Sequence, residues 1–248
     1  MDTYIYLTTQ TSATDSMLRI FCALLDKDFV DAKYIDRFLS NHPVAELKNA
    51  ELPLDGQLHR YNLPPYFDVN KVKPQHKLII NYRDPRDHFC NVYHWQFNHP
   101  VRGESEIEKE KRLEVLAETT IDQFVLEKAN TKYYENIIKS LNNLNKDDFV
   151  VLSYARLCLD FDSFLSKAAG FFNINLTDTK RNALEVERVD NLSSNKQYIG
   201  NKWGGADVGP GRYKNELKVE TIDELNKRFK HILQIMAEYD NDFASFYL

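Results

Sequence analysis

Three short apolar segments, each followed by helix signals, set the strongest limit on how this chain can fold. Residues 4–7, 77–82 and 147–154 carry the β-branched and aromatic side chains that are typical of buried strands. A loop and then a helical pattern follow each of them. Because strands that alternate with helices form a parallel sheet covered on both faces, we predict an α/β protein in three layers, with a central, mostly parallel sheet flanked by helices.

The composition fits one globular domain. The chain has 248 residues, of which 43% are hydrophobic and 28% charged, and no stretch rich in glycine, proline or serine marks a boundary. We therefore expect a single domain over residues 1–248. The net charge of −5 argues against a protein whose main partner is nucleic acid.

The amino terminus and the cysteines indicate the cellular compartment in which the protein is expected. Asp2 stands where a secretory signal needs basic residues, and no apolar stretch approaches the length that a membrane helix requires. Cys22, Cys90 and Cys158 lie among apolar neighbours and are too few for a disulfide framework or a metal knuckle. We expect a cytoplasmic protein without a membrane span.

Three regions show weaker helix and strand signals in the sequence. Prolines interrupt residues 29–74, so we expect irregular structure with short helices there. Charged residues fill segment 101–111, which is typical of a solvated helix face or a loop. Residues 191–218 are polar and glycine-rich, and a loop of this length is more often functional than idle.

Ligands of an open parallel sheet bind beyond the carboxyl ends of its strands, where helix N-termini offer unpaired N–H groups to anions. Residues 8–14, 83–87 and 154–156 follow the three predicted strands and are called the first, second and third loops. These loops are the candidate ligand-binding positions.

The first loop is a run of small polar residues between a strand and a helix, as in a phosphate-binding loop. It lacks the Gly-x-x-x-x-Gly-Lys-Ser/Thr pattern of nucleoside triphosphate P-loops, which disfavours an ordinary kinase or ATPase. The alternative is that this loop only caps the following helix, through Thr11, Ser12 or Thr14.

Arg83 ends a predicted buried strand and directly precedes a helix start at Asp84-Pro85. Its guanidinium can add a bidentate, charge-assisted grip to the anion site of the helix N-terminus. The alternative is a salt bridge to Asp84, Asp87 or another acid.

Five segments, in the right order, resemble the cytosolic-type sulfotransferases. Residues 80–95 are similar to the Arg-Asn-Pro-Lys-Asp-x-x-x-Ser-x-Tyr-His segment with which that family holds the 3′-phosphate of 3′-phosphoadenosine 5′-phosphosulfate (PAPS). The first loop stands where the family has Pro-Lys-Ser-Gly-Thr-Thr. Residues 151–157, 209–217 and 120–124 resemble its Leu-x-Tyr-Glu-Asp-Leu, Gly-x-x-Gly-Asp-Trp-Lys-Asn and Thr-x-x-Glu-Phe segments. The resemblance is to a divergent member with the P-loop-like fold of the family.

The resemblance implies a donor site in three parts. The 5′ end of the donor is held by six residues of the first loop: Thr9, Gln10, Thr11, Ser12, Ala13 and Thr14. Arg83 and Asn91 bind the 3′-phosphate, and Tyr154 contacts the adenine. Three residues of the late glycine-containing segment complete the site: Gly211, Arg212 and Lys214.

The resemblance also implies the reaction. A sulfuryl group moves in line from PAPS to a hydroxyl or amine of a small-molecule acceptor, and 3′,5′-adenosine bisphosphate (PAP) is the product. No metal, nucleic acid or membrane takes part, and the enzyme is a monomer or a homodimer.

The chain departs from the family pattern at both cationic loops. The lysine that polarises the oxygen bridging the sulfate to the nucleotide aligns with Gln10, which therefore takes the catalytic position. The Arg-Lys-Gly of the late loop falls at residues 206–208, which hold no basic residue. The missing charge would have to come from Lys202, Arg212 or Lys214.

The histidine that serves the family as general base lies in a Thr-His-Leu-Pro segment. When the Leu-Pro pairs are superposed, its place belongs to Asn62, and His59 lies three positions earlier. An imidazole suits a base that works near neutral pH, so we predict His59 as the catalytic base.

Two other functions stay open. The missing lysine and the displaced histidine suit a nucleotide-binding or interaction protein that has lost transferase activity on the same fold. A small-molecule kinase with an altered phosphate loop is the third hypothesis, and it predicts magnesium-dependent binding of ATP.

Overall fold

One parallel sheet organises the molecule. The computed structural model describes residues 2–31, 51–61, 67–98, 104–191 and 209–248. Within them the strands are β1 (Thr3–Leu7), β2 (Phe29–Asp31), β3 (Leu58–Tyr61), β4 (His76–Ile80) and β5 (Phe149–Val151). Their order across the sheet is β2-β3-β1-β4-β5, and each neighbouring pair is parallel. This confirms the predicted α/β fold with a central sheet flanked by helices.

The helices of the described chain follow the strands as the sequence predicts. They are α1 (Thr14–Leu25), α2 (Pro85–Asn98), α3 (Glu106–Glu118), α4 (Ile121–Lys128), α5 (Lys132–Asn143), α6 (Tyr154–Leu159), α7 (Phe161–Phe171), α8 (Asp178–Leu184), α9 (Tyr213–Glu216), α10 (Val219–Tyr239) and α11 (Ala244–Tyr247). None of these helices is long and apolar enough to cross a membrane.

Hydrophobic clusters cover both faces of the sheet. Ile5 and Ile80 belong to the cluster on one face, whereas Tyr6 and Ile79 belong to the cluster on the other. Because side chains alternate along a strand, consecutive apolar residues fill both clusters. Burial on both faces is why the strand segments read as continuous apolar runs.

The prediction of irregular structure over residues 29–74 is wrong for two segments, β2 and β3. In β3, Leu58 and Tyr61 enclose a histidine and an arginine, so the strand has no apolar run. Arg60 donates to Asp15 over 2.6 Å, and this acid outside the strand satisfies its charge. Tertiary partners stabilise this strand where local preference does not.

The described part of the charged segment 101–111 contains the start of helix α3. Ser105 and Glu108 form a capping box at the N-terminus of α3, with the Ser105 hydroxyl accepting from Glu108 N and the Glu108 carboxylate accepting from Ser105 N. Such reciprocal bonds begin a helix whose exposed face is charged. Of the predicted functional loop over residues 191–218, the part from 192 to 208 lies outside the described residues.

Candidate active site

Asn81 ties together the three loops at the carboxyl edge of the sheet. Its Oδ1 accepts from the hydroxyl of Thr8 over 2.6 Å, and its Nδ2 donates to the carbonyl of Leu152 over 3.0 Å. The ends of β1, β4 and β5 are therefore joined by one buried side chain. The first, second and third loops meet at this edge, where ligands of parallel sheets bind.

The first loop turns through two left-handed residues. Thr11 and Ala13 have φ angles of 60° and 56°, a region that residues other than glycine rarely adopt. The hydroxyls of Thr9 and Ser12 are hydrogen-bonded to each other, and the hydroxyl of Thr14 donates to the carbonyl of Thr9 over 3.3 Å. The buried Oγ1 of Thr11 has no partner among the described residues.

No side chain caps the N-terminus of α1. Ala13 occupies the N-cap position and makes no capping bond, so the alternative that Thr11, Ser12 or Thr14 merely caps this helix is not what the structure shows. The first N–H groups of a helix lack intrahelical acceptors and carry partial positive charge. The first loop and α1 together therefore form a place for an anion.

Arg83 lies beneath the first loop. Its side chain is buried, its Nη1 donates to the carbonyl of Thr11 over 3.0 Å, and its guanidinium carbon lies 4.2 Å from the centre of the Tyr154 ring. Nε and Nη2 are buried without a partner among the described residues. Arg83 is stacked on a ring, and two of its nitrogens lack a partner among the described residues. This arrangement favours the predicted binding of an anion by Arg83 over the alternative of a salt bridge within the protein.

The two acids that could have neutralised Arg83 bind other groups. Asp84 holds Arg86 through an ion pair of 2.6 Å, and its Oδ1 accepts from Arg86 N at the start of α2. Arg86 also donates to the carbonyls of Phe246 and Tyr247. Asp87 is near enough to interact with the charge of Arg83, but its hydrogen bonds are with the backbone of the late segment.

Asp87 binds the late segment to α2. Its Oδ2 accepts from Gly211 N over 2.6 Å and its Oδ1 accepts from Tyr213 N over 3.1 Å. Gly211 has a φ of 87°, which a residue with a side chain adopts only with strain. The segment that the resemblance assigned to the donor site is thereby fixed to the first turn of α2, which follows Arg83 in the chain.

Asp87 is expected to give the stability of the protein a pH dependence. Burial raises its pKa to about 6, although nearby Arg83 lowers it. Because the folded pKa exceeds the unfolded value, the contribution of Asp87 is most favourable below about pH 4 and is lost as the pH rises through about 6. We expect the unfolding free energy of the wild type to fall by roughly 2 to 3 kcal/mol over this range, relative to Asp87→Asn.

Urea unfolding of both proteins at pH 4 and pH 7 measures this difference. Asp162→Asn serves as the control because Asp162 is an exposed acid whose pKa is lowered by its arginine partners. Parallel pH profiles for the wild type and Asp87→Asn would contradict the expectation.

Two aromatic side chains clamp the peptide groups of Gln10. Its N–H donates to the hydroxyl of Tyr133 over 3.0 Å, and its carbonyl accepts from Nδ1 of His88 over 3.0 Å. The ring centres of His88 and Tyr133 are 5.0 Å apart. Burial lowers the pKa of His88 to about 3, so its imidazole is neutral near pH 7. The proton of the neutral ring is on Nδ1, because the carbonyl of Gln10 can only accept. No motif revealed this clamp, and the side chain of Gln10 itself is exposed.

The structure does not bring His59 to the three loops. His59 pairs with Ile5 in the middle of the sheet, and its Nε2 lies 2.9 Å from the carboxylate of Asp55, which precedes β3. Its side chain therefore reaches toward the amino ends of the strands. Asn62, the other position for the base, lies outside the described residues.

The remaining predicted residues are buried, exposed or outside the described residues. Asn91 on α2 and Arg212 in the late segment are buried, and the Oδ1 of Asn91 and the Nη1 of Arg212 have no partner among the described residues. Lys214 is exposed, with its ammonium 5.8 Å from the Tyr213 ring centre. Lys202 lies outside the described residues.

Comparison with known proteins identifies a family and a fold. The sulfotransferase domain family matches residues 58–240, well over half of the chain. A search of curated protein sequences finds no match. Among solved structures, mouse sulfotransferase SULT7A1 complexed with PAP is 14% identical, covers 97% of this chain and 89% of its own, and has a TM-score of 0.65.

A second solved structure shows the same likeness of fold. Retinol dehydratase in complex with androsterone and the inactive cofactor PAP is 14% identical, covers 93% of this chain and 80% of its own, and has a TM-score of 0.58. The domain match, which spans well over half of the chain, leads to one assignment. The chain belongs to the sulfotransferase family.

Proposed function

We propose that this chain binds PAPS and transfers its sulfuryl group to a hydroxyl or amine of a small-molecule acceptor. Arg83 carries the proposal: it is a buried cation, stacked on Tyr154 beside the N-terminus of α1, and two of its guanidinium nitrogens have no partner in the described part of the chain. A buried charge without a partner costs free energy, which a bound anion would offset. That PAP is bound in the structures of similar fold supports a nucleotide at this edge.

The chemistry of the surrounding residues fits a nucleoside bisphosphate. N–H groups of the first loop and the N-terminus of α1 would hold the 5′ end. Arg83 would bind the 3′-phosphate through its two nitrogens that lack a partner among the described residues, and Asn91 would donate to the same group through Nδ2, because its unpartnered Oδ1 can only accept. The buried ring of Tyr154 would pack against the adenine.

PAPS, when bound, supplies the sulfuryl group and a nucleotide leaving group that gains negative charge as the bond to sulfur breaks. The chain would contribute positioning and stabilisation of that charge. The hydrogen bonds from Tyr133 and His88 fix the peptide groups of Gln10 near the start of the first loop. The N–H groups of the following loop residues would therefore have a defined direction before the ligand binds.

A nucleotide-binding protein without transferase activity is the second candidate. The exposed amide of Gln10 has no charge where the family has its lysine, and His59 is bound to Asp55 away from the loops. Both observations affect the transfer step and leave the anion site intact. This candidate therefore predicts binding of PAP without turnover of PAPS.

Two measurements test the proposal. Calorimetric titration with PAP is expected to show micromolar binding, whereas ATP with magnesium competes weakly. PAPS incubated with a panel of phenols, alcohols and amines is expected to release PAP only when an acceptor is present. Binding without release would establish the second candidate. Magnesium-dependent ATP binding that exceeds PAP binding would favour the kinase hypothesis, and absence of PAP binding would refute the donor site.

A further inference from the structure

His88 is the histidine that contacts the first loop in the described part of the chain. It lies near the start of α2, and its Nδ1 donates to the carbonyl of Gln10 over 3.0 Å. The other histidines that the structure describes are bound to other groups or exposed, and they are His59, His76, His94 and His231. An imidazole at this loop is therefore supplied by His88.

The hydrogen bond to Gln10 leaves the second ring nitrogen of His88 for other chemistry. With the proton on Nδ1, the lone pair of the neutral imidazole is on Nε2. Nε2 makes no hydrogen bond within the described chain, and it is not one of the fully buried atoms that lack a partner there, so part of its surface is accessible. One nitrogen is held by an acceptor while the other can take a proton, which is the arrangement that a general base needs.

Three aromatic rings hold the imidazole in place. The ring centres of Phe89, Tyr133 and Tyr134 lie 4.9, 5.0 and 6.0 Å from the ring centre of His88. Tyr133 also accepts from the N–H of Gln10, so the imidazole and the first loop are fixed relative to each other. A group that is already held in one orientation loses little entropy when it enters the transition state.

The chemistry of the donor places the reaction at the first loop. In the proposed function this loop holds the 5′ end of the nucleotide, and the sulfuryl group is attached to the 5′-phosphate. The acceptor has to reach that group, and a base has to lie within reach of the acceptor. His88 contacts Gln10, which stands where the family has the lysine beside the transferred group.

Burial and the charge of Arg83 make the free imidazole a weak base. Burial is the larger cause of its pKa of about 3, and Arg83 lowers the pKa further. The titratable groups that pack against the ring are the hydroxyls of Tyr133 and Tyr134, and burial raises the pKa of both, so they are neutral near pH 7. An anion bound to Arg83 would compensate its charge and raise the pKa of His88. We therefore expect the imidazole to become a stronger base when the nucleotide is bound.

We propose that His88 is the general base that takes the proton of the acceptor hydroxyl. The inference rests on the proposed function, and it assigns to His88 the role that His59, bound to Asp55, does not fill. The family segment specifies no residue at position 88. As the acceptor oxygen forms its bond to sulfur, its proton passes to Nε2 of His88. The bond between sulfur and the bridging oxygen breaks, and its electron pair stays on the 5′-phosphate of PAP. The imidazolium then releases the proton to water.

His88→Asn separates the base from the hydrogen bond to Gln10. The amide of asparagine can donate from nearly the place of Nδ1, but it has no basic nitrogen. With PAPS and an un-ionised acceptor such as phenol or an aliphatic alcohol, kcat/KM is expected to fall about 100- to 1,000-fold. With pentafluorophenol, which is already ionised at neutral pH and needs no base, the loss is expected to stay below about threefold. PAP binding, measured by calorimetry, is expected to stay within about twofold of the wild type.

Tyr133→Phe is the matched control for the hydrogen bonds to Gln10. It removes the acceptor of the Gln10 N–H and keeps the imidazole. Any loss of kcat/KM in this variant is expected to be equal for the un-ionised and the ionised acceptor. His231→Asn makes the same exchange at an exposed position of α10 and is expected to behave as the wild type. Circular dichroism and thermal unfolding establish that each variant is folded.

The tautomer of His88 can be measured without turnover. Heteronuclear NMR of protein with isotope-labelled histidine distinguishes the protonated ring nitrogen from the one with a lone pair, and His88→Asn identifies the signals of His88. At pH 7 the ring is expected to be neutral and protonated on Nδ1, both in the free protein and with PAP bound. A proton on Nε2 would leave no lone pair for the acceptor and would overturn the inference.

The turnover measurements can overturn the inference in two further ways. One is a wild-type kcat/KM for the un-ionised acceptor in His88→Asn, and the other is an equal loss for the ionised acceptor. A wild-type protein that binds PAP but transfers to no hydroxyl overturns it as well. A wild-type protein that binds no PAP would refute the proposed function first, so the wild-type titration separates the two failures.

Discussion

Arg83→Met is expected to weaken PAP binding by about 100- to 1,000-fold, the largest effect on binding that the site offers. Truncating one partner of a buried, hydrogen-bonded charge pair costs on the order of 2 to 5 kcal/mol. Arg83 has two buried nitrogens without a partner in the part of the chain that the structure describes, and its guanidinium is stacked on Tyr154, so little ordering is needed when the anion arrives. Isothermal titration of both proteins with PAP measures the loss.

The same substitution is expected to leave the unliganded protein as stable as the wild type or more so. Methionine fills much of the space of arginine, and it removes a buried charge that lacks a full set of partners. Against this gain stands the loss of the bond to the carbonyl of Thr11, of the stacking on Tyr154 and of a favourable charge interaction with Asp87. A variant that loses both PAP binding and several kcal/mol of stability would show that Arg83 is structural. Arg83→Lys provides a charged control, with partial recovery of affinity.

Arg156→Leu is expected to destabilise the protein by about 3 to 5 kcal/mol, the largest effect on stability. The buried carboxylate of Asp240 accepts from Nη2 and Nε of Arg156, at 2.7 and 3.1 Å, and from the hydroxyl of Ser153. Leucine removes the cation and leaves this carboxylate, which is 0% exposed, uncompensated. Equilibrium unfolding in urea at pH 7 measures the change.

Two comparisons decide whether the effect comes from the uncompensated charge. Arg181→Leu removes an arginine that pairs with the exposed Asp162, and it is expected to cost less than about 1 kcal/mol. Arg156→Leu/Asp240→Asn is expected to regain part of the loss, since no bare carboxylate remains. Equal destabilisation by Arg156→Leu and Arg181→Leu would disprove the argument.

The apolar strands could be predicted from the sequence because each is buried on both faces. Leu78, Ile79 and Ile80 fill both hydrophobic clusters, and their pattern needs no partner to be recognised. β3 escaped prediction because His59 and Arg60 are satisfied by Asp55 and Asp15. Those acids stand at positions that local sequence patterns do not relate to a strand.

The site was predictable where a residue follows a strand and was not where two remote segments meet. Arg83 is found by its place before a helix start. The bonds from Asp87 to Gly211 and from His94 to Glu216 join residues more than a hundred positions apart, and no spacing rule indicates them. The clamp of Gln10 by Tyr133 has the same origin. These long-range contacts, and the position of His59, required the tertiary structure.

The left-handed turn of the first loop has a consequence for the rate of ligand capture. Thr11 and Ala13 each hold a conformation that costs about 1 kcal/mol for a residue with a side chain, and the folded protein bears that cost before any ligand arrives. The conformational entropy of the first loop is therefore lost when the protein folds and not when the ligand binds. Association with an anionic ligand can then proceed at the rate of docking to a rigid surface, without waiting for the loop to close.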